Sequence, residues 1–399
     1  MIGADMRYLL GERSLRSLSA LPGRRAAAGI LASDVEGPLF LGDFIAEALS
    51  ARVRPRHYAV DATPSYGHIL YQEGYAAFSE ATAGLRRPHC RNGCAQEGTD
   101  TIFALPMLLA CGADAGYLDL LARRSAPTPG AARMLAELDR MGMMAVGITT
   151  APQQPYRNLV AASGLLPRER ILGSPFPLNE AAELLRVHRR WDEEIGAVNR
   201  YLDDAFAIID GYAEIYRGAD GQIRRLSDCG RQLLQARFIR HCRDELGISH
   251  DPAARRRRTA PTLLGEIIEA CAMMGDRSKA ATALNLGRSL RGGQPLVAMG
   301  DGGNDAEMLR RVPLSIGVNG PEAASAAKIG VVTADMACVL PILRQMLLGE
   351  RDIDAIIVRA QAEVGDAALI HRGGGRLAPA LLARHREMKR QLRGAFVTF

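Results

Sequence analysis

The chain has 399 residues, 48% of them hydrophobic and 24% charged, with a formal net charge of +6 and a sequence pI near 9.0. That composition excludes a disordered or fibrous protein, and at this length a core domain with a sizeable insertion, or two domains, is expected. The basic excess would suit an anionic substrate but is modest and carried by arginine, since lysine occurs only at 279, 328 and 389.

The opening stretch GERSLRSLSALPGRR reads as helix, so residues 1–25 are expected to form an N-terminal helical extension. It holds no unbroken apolar h-region, and no run in the chain reaches the ~18 apolar residues of a membrane span. The nearest approach, TIFALPMLLACGADAGYL, is broken by Pro106 and Asp114. Seven cysteines in no regular framework, an odd number, suggest reduced thiols. These readings predict a cytoplasmic protein without a membrane partner.

Next comes AAGILASD, a short apolar run closed by Asp34 and followed by Glu36, Gly37 and Pro38, the pattern of a buried strand entering a loop. Residues 45–127, rich in alanine, leucine and tyrosine, are expected to form a helical cap inserted after this strand. Arginines 52, 54, 56, 86, 87 and 91 make the insertion basic, which could help attract an anionic substrate, although a solvated face explains them equally well. His89, Cys90 and Cys94 lack a second pair at zinc-binding spacing.

A helix over PGAARMLAELDR precedes a second apolar strand, RMGMMAVGITT, which ends in Thr149 and Thr150. Residues 181–259 are expected to form a second, mostly helical insertion. Within it EEIGAVNRYLDDAFAIIDGYAEIYRG reads as helix and GADGQI as a turn, so Trp191 and tyrosines 201, 212 and 216 need mean only helix packing. The dense basic run Arg255 to Arg258 lacks interleaved aromatics and reads as a solvated linker, which argues against a nucleic-acid partner.

A third helix and strand follow, KAATALNLGRSL and then QPLVAMGDGGND, which ends in Asp301 and Asp305. The tail, residues 351–399, reads as two helices parted by Gly373 to Gly375 and offers a contact surface for a homo-oligomer or a larger complex. Strands alternating with helices, each ending in polar residues, predict an α/β fold with a Rossmann-like parallel sheet whose functional groups meet at the strands' carboxyl ends. The core would comprise residues 26–44, 128–180 and 260–350.

Cleaving a phosphate ester with a carboxylate needs a nucleophile, a proton donor, a divalent cation and donors for the transferred oxygens. Asp34 and Glu36 lie two residues apart just past the first strand, where Gly37 and Pro38 allow the chain to bend. Asp301 and Asp305 offer hard oxygen ligands across a glycine-rich turn. Lys279, 22 residues before Asp301, could balance these carboxylates, and Thr149 could donate to a phosphoryl oxygen. Taken singly, each is as readily a solvated turn residue or a surface side chain. No GxxxxGK[ST], GxGxxG or GxSxG pattern competes.

In order and setting, DVEGPL, the ITT strand end, Lys279 and GDGGNDAEML resemble the four motifs of the haloacid dehalogenase superfamily. The nearer resemblance is to its phosphoserine-phosphatase-like members and to the D-x-E-G-P group labelled energy-converting hydrogenase A subunit R. It implies a magnesium-dependent phosphatase for a small phosphorylated substrate. Asp34 would be nucleophile and metal ligand, Glu36 the proton donor with its carbonyl on the metal, and Asp301 and Asp305 further ligands. Thr149 and Lys279 would hold the phosphoryl group, with Thr150, Gly302 and Asn304 supporting phosphate or loop. The sequence departs from the usual pattern at Glu36, commonly aspartate, and at Pro38, commonly threonine. Those departures keep two alternatives in view: a catalytically weakened subunit of a larger complex, and a phosphotransferase.

Overall fold

The computed structural model describes residues 27–57, 60–74, 98–218, 221–248, 261–288, 290 and 292–394. The expected N-terminal extension, the His89, Cys90 and Cys94 cluster, arginines 86, 87 and 91, and the run Arg255 to Arg258 lie outside the described residues. The strands among the described residues are β1 (Gly29–Ser33), β2 (Met143–Pro152), β3 (Ile171–Ser174), β4 (Ala213–Gly218), β5 (Gly221–Leu226), β6 (Leu296–Gly300), β7 (Leu314–Val318), β8 (Ile329–Thr333) and β9 (Ala368–Arg372).

The chain divides into two compact units. One takes in Ala122–Ser174 and Met274–Phe399 with the segment ending at Asp43, and is built on a seven-stranded sheet of order β3-β2-β1-β6-β7-β8-β9. All neighbours run parallel except β8 and β9. It is an α/β, Rossmann-like fold. Strands β1, β2, β7 and β8 are buried along their whole length, as expected where helices cover both faces of a parallel sheet. On one face Ile30, Ala32, Met144, Val146, Ile148 and Ala298 pack with Ala280, Ala283 and Leu286 of the helix Asp276–Gly287. Strand order reverses at the β1–β6 pair, the place where open α/β sheets form their ligand crevices.

The other unit comprises residues 44–121 and 175–273, so both inserted segments contribute to one body. Its helices include Phe44–Arg52, Thr99–Ala110, Leu178–Val187, Trp191–Tyr212, Asp228–Arg240 and Leu263–Ala270. Phe103 meets Phe238 edge-on at 5.4 Å, Tyr66 meets Phe206 likewise at 5.4 Å, and Tyr201 stacks on His241 at 4.4 Å. Arg52 is exposed and lies over the Tyr117 ring at 4.4 Å.

Two local expectations are corrected. The helix begun at Trp191 ends at Tyr212, and AEIYRG is not helical but β4, paired antiparallel with β5 in register Ala213↔Leu226. Ile215 and Tyr216 suit a pleated strand, and Tyr216 is exposed on it rather than packed in a helix. In the tail, the helices Ile353–Val364 and Pro379–Arg393 are separated by β9, which closes the edge of β8.

The stretch between Asp100 and Ala122 is two helices bent by 119°, and no single helix among the described residues is long and apolar enough to cross a membrane. The described cysteines 111, 229, 242, 271 and 338 are free.

Candidate active site

Parallel strands deliver the residues after their last rung to one end of the sheet. Ser33 is in register with Met299, so Asp34 and Asp301 emerge side by side, and the Asp34 amide donates to the Met299 carbonyl at 2.8 Å. The helix Asp276–Gly287 leads into β6 and therefore starts at the strands' carboxyl end, which puts Lys279, in its first turn, at the same level.

These residues meet. Lys279 Nζ donates to Asp34 Oδ1 at 2.9 Å and to Asp305 Oδ1 at 2.8 Å. Lys279 and Asp305 are wholly buried, and Asp34 and Asp301 are each 4% exposed. Asp34, Asp301 and Asp305 each place a carboxylate oxygen within 4.8 Å of the others. Asp305 also organises its own loop: its Oδ2 accepts from the amides of Asp301 and Gly302, both at 3.1 Å. Asn304 lies in the short turn Gly303–Asp305, where its Oδ1 takes the space that a Cβ on Gly302 would need.

Burial, with Asp305 and Asp301 nearby, pushes the Asp34 carboxyl well above its ordinary pKa, against the pull of Lys279. Burial likewise opposes charge on Lys279, but Asp305 and Asp34 outweigh it and hold the ammonium above its usual value. Asp34 and Asp305 share the single ammonium of Lys279, which leaves that buried pair with a surplus of negative charge, while Asp301 is met by other cations. All-oxygen donors at this spacing fit a hard divalent cation such as magnesium.

Thr149 is buried at the end of β2, the strand beside β1. Its Oγ1 accepts from the Ala151 amide at 3.0 Å, which leaves its hydroxyl proton available to a ligand oxygen. Thr150 spends its own proton on the Met274 carbonyl at 3.0 Å and so fastens the segment that leads into the Lys279 helix.

Glu36 is held by Tyr156, whose hydroxyl donates to its Oε1 at 3.0 Å. Gly37, at φ +101°, passes so close to Asp301 that a Cβ there would fall 2.4 Å from the carboxylate. Beside Pro38, which has no hydroxyl, Thr128 donates its hydroxyl proton to the Gly37 carbonyl at 2.7 Å. Tyr156 and Thr128 carry no motif around them, and only the folded chain brings them to this loop.

Two more cations reach the site from the last helix, Pro379–Arg393. Lys389 Nζ donates to the Asp301 carbonyl at 3.1 Å and lies 3.3 Å from its Oδ2, and Arg393 Nη1 donates to that same Oδ2 at 2.8 Å. Burial disfavours the Arg393 charge, but Asp301, Glu36 and Asp43 more than restore it, so the guanidinium is held above its ordinary value.

No family model and no curated protein matches the chain. A solved structure does: gene product AF1437 from Archaeoglobus fulgidus aligns with a TM-score of 0.61 at 17% identity, over 92% of this chain and 97% of that one. At that identity the likeness speaks for a shared fold alone.

Proposed function

We propose that the chain is a magnesium-dependent phosphomonoester hydrolase of the haloacid dehalogenase type, acting on a small phosphorylated substrate through a phosphorylated Asp34. The observation that carries this reading is the buried bridge from Lys279 to both Asp34 and Asp305 at the sheet's switch point, with Asp301 completing a set of hard oxygen donors.

Asp34, Asp301 and Asp305 would hold magnesium, with the Glu36 carbonyl as the further ligand that the motif resemblance implies. The ion supplies positive charge against which a carboxylate and a phosphate can approach. Lys279 contributes to the same end by favouring the ionised form of Asp34, against burial and the neighbouring carboxylates, which together raise its pKa. Asp34 then attacks phosphorus in line as the bond to the ester oxygen breaks. Thr149 donates to a phosphoryl oxygen. Glu36 protonates the departing alkoxide, and once ionised takes a proton from the water that cleaves the aspartyl phosphate. Its longer side chain is compatible with this role because Tyr156 fixes the carboxylate, restoring the orientation that the extra methylene would loosen.

The test is turnover of a generic phosphomonoester by the purified chain. Hydrolysis that requires magnesium and disappears in Asp34→Asn is the expected result, and activity surviving that substitution or indifferent to magnesium would refute the reading.

A further inference from the structure

The most deeply buried positions of the last helix are polar. His385 and Lys389 are its buried residues, and Arg393 follows one turn later on the same stripe, so His385, Lys389 and Arg393 form a row with a spacing of four. A surface helix ordinarily turns an apolar stripe inward, and burying cations is unfavourable unless they are paired. The Lys389 and Arg393 side chains are each 8% exposed, and both find the same partner, Asp301. Arg393 also donates to the Gly42 carbonyl, so a single guanidinium ties the acidic loop to the segment that follows Glu36. Its Nε is buried and has no hydrogen-bond partner among the described residues.

The two cations leave part of Asp301 untouched. They take its Oδ2 and its backbone carbonyl, whereas Oδ1 has no hydrogen-bond partner among the described residues. A purely electrostatic counter-ion has no need of the backbone carbonyl; a group that fixes the loop does. Carboxylates that bind metals are commonly oriented by hydrogen bonds of this kind.

We propose that Lys389 and Arg393 are positioning residues, which hold Asp301 by one oxygen and its carbonyl so that the other oxygen is presented to the cation. The inference rests on the reading of Asp301 as a magnesium ligand. It makes the tail helix part of the site.

Calorimetric titration of the full-length protein with magnesium, without substrate, tests this. Lys389→Met and Arg393→Gln are each expected to weaken magnesium binding about tenfold or more, the usual consequence of removing a residue that orients a metal ligand. Lys328→Met, which changes net charge equally at an exposed site, is expected to bind like the wild type. If the two cations merely competed with the metal for Asp301, their removal would tighten binding, and tighter or unchanged affinity overturns the proposal.

Lys389→Arg and Arg393→Lys keep the charge and alter only reach, and they serve where the first pair does not fold. They should bind more weakly than the wild type, and wild-type affinity in both would overturn the proposal. A wild-type protein that takes up no magnesium would overturn this inference together with the reading beneath it. Normal uptake in the wild type and in all four site variants would overturn this inference alone.

Discussion

Lys279 Nζ stands 2.9 Å from Asp34 Oδ1, and neither side chain is more than 6% exposed. A buried pair of this kind costs more to break from one side than from the other. Lys279→Met leaves the Asp34 and Asp305 carboxylates facing each other without a cation, and a loss of about 3–5 kcal/mol in urea denaturation is expected. Asp34→Asn removes one charge from a crowded negative cluster and should cost less than half as much. Equal losses in the two variants would show that Lys279 is not the cluster's electrostatic keystone.

Gly37 is the backbone counterpart of that bridge. Gly37→Ala would place a methyl group 2.4 Å from the Asp301 carboxylate at a φ of +101°, which L side chains rarely adopt. The expected outcome is a folded protein, slightly less stable, with magnesium binding weakened by at least an order of magnitude. Circular dichroism and calorimetry on one sample check both parts, and wild-type magnesium affinity would contradict the geometry.

In the other unit, Glu194 caps a helix 69 residues further along the chain. Its Oε1 accepts from the Leu263 amide at 2.9 Å and its Oε2 from the Leu264 amide at 2.8 Å, and the residue is 4% exposed. Glu194→Ala leaves two amide donors unsatisfied at a helix N-terminus and should lower stability by about 2–3 kcal/mol. Thermal melting reads this directly, and a change near zero would mean that the cap adds nothing.

The sheet was legible where the chain states its pattern plainly. GILAS, MMAVGITT and LVAMG are apolar runs ending in functional groups, and they are the three adjacent strands β2, β1 and β6 that carry Thr149, Asp34 and Asp301. Strand β9 was hidden because ALIHR is short and lies between two helices; its state is set by the open edge of β8, 35 or more residues upstream. AEIYRG was hidden for the opposite reason, since it continues a helical pattern until Ile215 and Tyr216 pair with Arg224 and Ile223. Lys389 and Arg393 lie in a tail that the sequence marks only as helical. Their partner lies 88 and 92 residues away, and no local pattern encodes so distant an ion pair.

The same tail helix carries a pH-sensitive contact. His371 Nε2 and His385 Nε2 are 2.8 Å apart, and the ring of His371 lies over Gly330, where a Cβ would collide with it. Burial, and then His371, lower the His385 pKa to about 4. A folded pKa below the unfolded value of 6.5 means that this contribution is present above pH 6.5 and is lost as pH falls through about 4. The loss amounts to at most about 3 kcal/mol. His385→Leu should lose less stability than the wild type between pH 7 and pH 4.5 in chemical denaturation, and parallel losses would remove the His pair from the explanation.

The most direct test of the account is covalent. The purified chain, mixed with magnesium and a phosphomonoester and quenched in acid, should gain the mass of one phosphoryl group, placed on Asp34 by peptide mapping and absent in Asp34→Asn. Turnover with no phosphorylated protein at any quench time, or with the label on another residue, would contradict the assignment of Asp34 as the nucleophile.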